Sequence, residues 1–163
     1  MCSSDLDLFL PDMMLAARAM QKAVSILEPE MKRQSAERHV AGRVVLGTVK
    51  GDIHEIGKNL VGMMLATSGF EVHDLGVDVA PERFVDAARE HNADIVGVSA
   101  LLTTTMPYMK VVIQALKDRG IRDKYVVLVG GAPLNEEFAM AVGADAYCRD
   151  AAIAAETARK FVQ

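Results

Sequence analysis

From residue 43 onward, short runs of Val, Ile and Leu alternate with segments in which apolar residues recur every three or four positions. The short runs, at 43–49, 70–75, 94–100, 125–129 and 144–148, read as strands. Several are nearly continuous in aliphatic residues, as parallel strands covered on both faces are. The segments between them, 58–68, 81–92, 106–119, 134–141 and 151–162, read as helices, with Gly69, Gly120 and Gly143 where C-caps are expected. Five strand–helix units predict an α/β fold, a doubly wound flavodoxin-like parallel sheet of order 2-1-3-4-5.

Residues 11–39 have a helical pattern only. Pro11 suits a first turn, and Met14, Leu15, Ala17, Met20, Val24 and Leu27 recur at helical spacing before Glu28-Pro29 interrupts. The polar stretch 30–39 then reads as a helical linker. One amphipathic helix does not make a stable domain, so it either packs on the main domain or lacks a partner helix. The chain therefore divides into a helical segment and linker, 1–40, and an α/β domain, 41–163.

Composition narrows the function. The 163 residues are 51% apolar and 25% charged, ordinary for a globular domain, and the net charge of −4 offers no electrostatic footprint for nucleic acid. No apolar run approaches the ~20 residues of a membrane helix. The first residues lack the basic start and apolar core of a signal peptide. Two distant cysteines, Cys2 and Cys148, make neither a disulfide framework nor a metal motif, and a cytoplasmic location is the expectation. The methionines at 13, 14, 20, 63, 64, 106 and 109 fall in helical patterns and read mostly as adaptable core filler.

In the predicted fold, ligands bind beyond the carboxyl ends of the strands, where strands 1 and 3 diverge. The loop after strand 1 holds Gly51-Asp52-Ile53-His54-Glu55-Ile56-Gly57. An Asp two residues before a His can accept a hydrogen bond from one ring nitrogen and leave the other for a metal. One His alone cannot hold zinc, so such a metal must bring its other ligands, as in a macrocycle. The loop after strand 3 carries Ser99, Leu101, Thr103, Thr104 and Thr105; one of these hydroxyls would suffice to cap the helix near Met106. Gly130-Gly131, after strand 4, makes a tight turn or admits a flat ring close to backbone. Phosphate-loop and dinucleotide fingerprints are absent, no nucleophile–base pair stands out, and His39, His73 and His91 read as surface histidines.

Asp52-x-His54-x-x-Gly57, Ser99-x-Leu101 and Gly130-Gly131, in this order, resemble the signature of cobalamin-binding domains. The likeness is closest to corrinoid proteins of methyltransferase systems serving methylamines, methanol or methoxylated aromatics, and the cobalamin domain of methionine synthase is more distant. The resemblance runs from about Asp7 to the C-terminus. It implies cobalamin or a related corrinoid (methylcobalamin or cob(I)alamin), bound with its own base detached. It makes His54 the lower axial cobalt ligand, Asp52 its hydrogen-bonding partner and Thr105 the hydroxyl completing the relay. Ile53, Glu55, Gly57, Ser99, Leu101, Thr103, Gly130, Gly131, Asp150 and Ala151 would complete the cofactor contacts.

The same resemblance implies a methyl carrier rather than a complete enzyme. Its partners would be a substrate-specific methyltransferase, a second methyltransferase acting on coenzyme M or tetrahydrofolate, and a reductive activase. Family members usually carry a four-helix cap, of which 11–27 matches the last helix. The segment 1–40 therefore reads as a partial cap, with Met13, Met14 and Leu15 exposed. Two other readings share the motif: a cobalamin-binding regulatory module, and the small subunit of an adenosylcobalamin mutase.

Overall fold

Alternation of aliphatic runs with amphipathic segments produces a five-stranded, all-parallel sheet of order β2-β1-β3-β4-β5. The computed structural model describes residues 40–162 and, before them, positions 15, 16, 18–20, 22, 23, 25–27, 29 and 30. The strands are β1 (Gly42–Thr48), β2 (Phe70–Asp74), β3 (Ile95–Ser99), β4 (Val126–Gly130) and β5 (Ala146–Cys148). They alternate with α1 (Ile56–Thr67), α2 (Pro81–Glu90), α3 (Pro107–Asp118), α4 (Glu136–Val142) and α5 (Ala151–Val162). The expected sheet order is the one found.

Helices cover both faces, which is why the central strands are apolar nearly throughout. On one face Val45, Val96 and Val127 pack with Phe84 of α2, Val112 and Leu116 of α3 and Val142 of α4. On the other, Val44, Ile95 and Leu128 pack with Leu65 of α1 and with Ala154 and Ala158 of α5. The second face is packed with smaller side chains on α5, which offers alanines where α2 and α3 offer Phe, Val and Leu.

Several local expectations change. Helix α1 begins at Ile56, not at 58, so Gly57 and Lys58 lie in its first turn. Helix α4 begins later than 134, because Asn135 accepts the Phe138 N–H and acts as N-cap. Gly130 is the last residue of β4, in register with Ser99 and Cys148, not part of the turn. His73 and His91 are not independent surface residues: their rings stack, with centroids 3.8 Å apart, because β2 directs residue 73 toward the C-terminal end of α2. His39 lies outside the described residues. The methionine expectation holds for Met109, wholly buried, but Met20 and Met64 are exposed.

The described positions between 15 and 30 are helical, Pro29 and Glu30 included, and Leu15, Met20, Ile26 and Leu27 are exposed there. Pro11, Met13, Met14 and the stretch 31–39 lie outside the described residues. No helix among the described residues is long and apolar enough to cross a membrane.

Candidate functional site

The site is built where β1 and β3, adjacent in the sheet, send their following helices to opposite faces. The loop from β1 to α1 is pinned at both ends. Val49 donates its N–H to the Ser99 carbonyl, and the Gly51 N–H reaches Asp78 Oδ1 at 2.7 Å. The Asp52 carbonyl in turn accepts the Asp78 N–H, and buried Thr48 donates its hydroxyl to the His54 carbonyl at 3.0 Å. Gly51 has φ of +81°, a left-handed conformation suited to glycine.

These restraints bury Asp52 completely and leave the His54 side chain 45% exposed. Asp52 Oδ1 takes the His54 backbone N–H at 3.1 Å and lies 2.7 Å from His54 Nδ1. Asp52 Oδ2 takes the Leu101 N–H at 2.7 Å, the Leu102 N–H at 3.2 Å and the Thr105 hydroxyl at 2.8 Å. Thr105 Oγ1 also lies 2.9 Å from the Leu102 carbonyl; its single proton goes to the carboxylate, the stronger acceptor. Burial by itself would raise the Asp52 carboxyl. The Leu101 N–H, the His54 ring and backbone N–H and the Thr105 hydroxyl outweigh it and hold the group well below the usual carboxylate range. An ionised Asp52 makes Nδ1 the protonated nitrogen of a neutral His54 ring, leaving Nε2 as a lone-pair donor.

Among the described residues, no group of three or more His, Cys, Asp or Glu could hold a metal ion. A metal at His54 therefore has to arrive with its other ligands already bound. A cleft of about 260 Å³ runs between α1 and α5 against the sheet. Its floor follows the strand register: Ser99, Gly130 and Cys148 form one row, and Leu46, Gly97 and Leu128 the next. Gly57 borders the cleft, and a Cβ there would meet nothing within 4 Å. Gly131 has φ of +143°, and its Cβ would lie 1.8 Å from the Ala100 carbonyl oxygen, so no other residue fits there.

The expected site residues fall into three groups. Asp52, His54 and Thr105 form one hydrogen-bonded unit, with Leu101 joined through its backbone. Gly57, Ser99, Gly130, Gly131, Asp150 and Ala151 line the cleft. Ile53, Glu55 and Thr103 do neither: Ile53 is 74% exposed, Thr103 sits exposed on the turn before α3, and Glu55 is half-buried ahead of α1. No hydroxyl caps α3, so helix capping does not account for the threonines.

Sequence reasoning missed Thr48, Asp78, the Leu102 N–H and Lys58. Lys58 is buried, and its ammonium pairs with Asp74 and reaches Asn59 Oδ1 at 2.8 Å. A lone Thr ending an apolar strand was a visible signal. Asp78 carried none, since its role depends on a left-handed φ of 53°.

Residues 42–159 match the family model for the B12 binding domain. The chain belongs to the B12-binding corrinoid proteins. A corrinoid protein of Desulfitobacterium hafniense is 48% identical over 157 residues, covering 96% of this chain and 73% of that protein. The monomethylamine corrinoid protein of Methanosarcina barkeri superposes with a TM-score of 0.82 at 38% identity, covering 93% of this chain and 71% of that one. The methanol:cobalamin methyltransferase complex of the same organism contains a chain that matches with a TM-score of 0.73 at 32% identity, covering 94% of this chain and 58% of that one. A cobalamin-type corrinoid is accordingly the cofactor of this B12-binding protein.

Proposed function

We propose that this corrinoid protein is a methyl carrier that holds its cofactor base-off, with His54 Nε2 as the lower axial ligand of cobalt. The observation that carries the reading is the 2.7 Å contact between His54 Nδ1 and a fully buried Asp52. The corrinoid supplies the chemistry, its cobalt accepting and releasing a methyl group. The protein's residues set the conditions for it. Ionised Asp52 holds the Nδ1 proton, fixes the tautomer and makes the ring a better donor. Thr105, with the Leu101 and Leu102 N–H groups, fixes that carboxylate. Exposed Ile53, Leu101 and Leu102 offer apolar surface beside His54 for a flat macrocycle, with Glu55 and Thr103 at the rim. The cleft bounded by Gly57, Ser99, Gly130, Gly131, Asp150 and Ala151 takes the nucleotide tail.

In this reading residues 41–163 are the cofactor-binding domain, and 1–40 contribute a helical segment of the cap over the methyl-bearing face. The transferase activities reside in partners. A substrate-specific methyltransferase for a methylamine or methanol loads the carrier, and a second passes the methyl group to coenzyme M or tetrahydrofolate. A reductive activase restores the cofactor. The likeness to a methylamine corrinoid protein and to a chain of a methanol:cobalamin methyltransferase complex supports a carrier over a regulatory module or a mutase subunit.

The test is a visible-absorption titration of apoprotein with hydroxocobalamin, beside His54→Ala. The native chain should give a base-off, His-on spectrum that the variant loses, with weaker binding. Identical spectra and affinities would remove His54 from the cobalt.

A further inference from the structure

The cleft between α1 and α5 has a chemical bias that methyl carriage does not require. Its hydrogen-bonding side chains lie at the carboxyl ends of the strands and the helix starts that follow, and most are already engaged. Lys58 pairs with Asp74 and Asn59. Asp150 accepts the Ile153 N–H at 2.8 Å and pairs with Arg149. Ser99, ending β3, stands beside them. Away from the strand ends, the wall among the described residues is carbon, supplied by Val44, Val61, Leu65, Ile95, Leu128 and Ala154. The strand amides and carbonyls beneath are committed to the β1–β3 and β3–β4 ladders. The side-chain polar atoms of the floor are the Ser99 hydroxyl, at the strand ends, and the buried Cys148 thiol.

We infer that this cleft selects the corrinoid by its lower base, taking a benzimidazole in preference to a purine. The inference rests on the cleft being the slot for the nucleotide tail. A detached dimethylbenzimidazole presents a fused benzene ring, two methyl groups and one free ring nitrogen. A detached adenine presents three ring nitrogens and an exocyclic amine. Each of these groups leaves hydrogen bonds to water behind, and a wall of carbon cannot replace them. The benzimidazole loses little on entry and gains apolar contact.

The experiment titrates the apoprotein, by calorimetry, with cobalamin, with the adenine-containing cobamide and with cobinamide, which has no nucleotide. Each affinity is corrected for the fraction of free cobamide already base-off in the same buffer, read from its absorbance. Cobalamin should bind about tenfold or more tightly than the adenine cobamide, the loss expected for unreplaced hydrogen bonds. Val61→Thr, which adds a hydroxyl to the carbon wall at nearly constant volume, should narrow the ratio. Equal affinity for the two cobamides, with both tighter than cobinamide, would overturn the selectivity while leaving the tail slot standing. Equal affinity for all three would overturn the tail slot itself.

Discussion

The Thr105 hydroxyl reaches Asp52 Oδ2 at 2.8 Å across 53 residues of chain, inside the protein. The same oxygen holds the Leu101 and Leu102 amides, so the ligand loop after β1 and the turn after β3 share one carboxylate. Thr105→Val removes one donor and leaves two. It should cost about 0.5–1.5 kcal/mol of apoprotein stability, measured by urea unfolding. Asp52→Asn disturbs every partner at once and should cost more. It should also weaken cobalamin binding by about 10- to 100-fold, the usual effect of losing a ligand's hydrogen-bonding partner. If Asp52→Asn bound cobalamin as tightly as the native chain, Asp52 would have no part in tuning His54.

The pH dependence follows from the same carboxylate. The folded Asp52 titrates below its unfolded value of about 3.9, so its contribution is complete above that value and is lost as pH falls toward the folded one. The part of the stability gap between native protein and Asp52→Asn that comes from the ionised carboxylate should therefore shrink below about pH 4. Urea midpoints at four pH values check this. A gap that widened on acidification would reverse the assignment.

Two glycines near the site should answer substitution in opposite ways. At Gly57, in the first turn of α1 with open space around it, alanine should stabilise the apoprotein by about 0.5–1 kcal/mol through helix propensity. Because that space borders the cleft, Gly57→Leu should keep the fold and weaken cobalamin binding. Gly131→Ala should instead destabilise the fold severely, since its Cβ would overlap the Ala100 carbonyl in a left-handed backbone. Thermal melts alongside a cobalamin titration separate the two cases.

Cys148 should be a poor nucleophile despite lining the cleft. Burial pushes its thiol up to about 11, with Thr157 partly opposing and Asp150 reinforcing. The protonated form stabilises the fold below the ordinary thiol range, and that contribution is lost as pH rises through about 9 toward 11. In a Cys2→Ser background, labelling by a disulfide reagent at pH 8 should be slow and should match the rate of global opening. Rapid labelling of the folded protein at pH 8 would show an accessible thiolate.

Chain periodicity alone determined the alternation of strands and helices and narrowed the sheet order to a few doubly wound arrangements, of which 2-1-3-4-5 is the one found. The position of each aliphatic run is local information, and right-handed crossover connections leave few topologies open. Asp52, His54 and Gly57 were legible for a similar reason: a short loop at a strand's carboxyl end is placed by the strand itself. Other features came only with the third dimension. The Leu102 amide and the left-handed Asp78 act through backbone groups whose direction no residue type reports. Thr105 stood among several hydroxyls that residue type and spacing could not rank and that only the family resemblance told apart; packing of β3 against β1 brings this one to Asp52. The cleft likewise arises from alignment of Ser99, Gly130 and Cys148 on three different strands, and register between strands distant in sequence is decided by the fold.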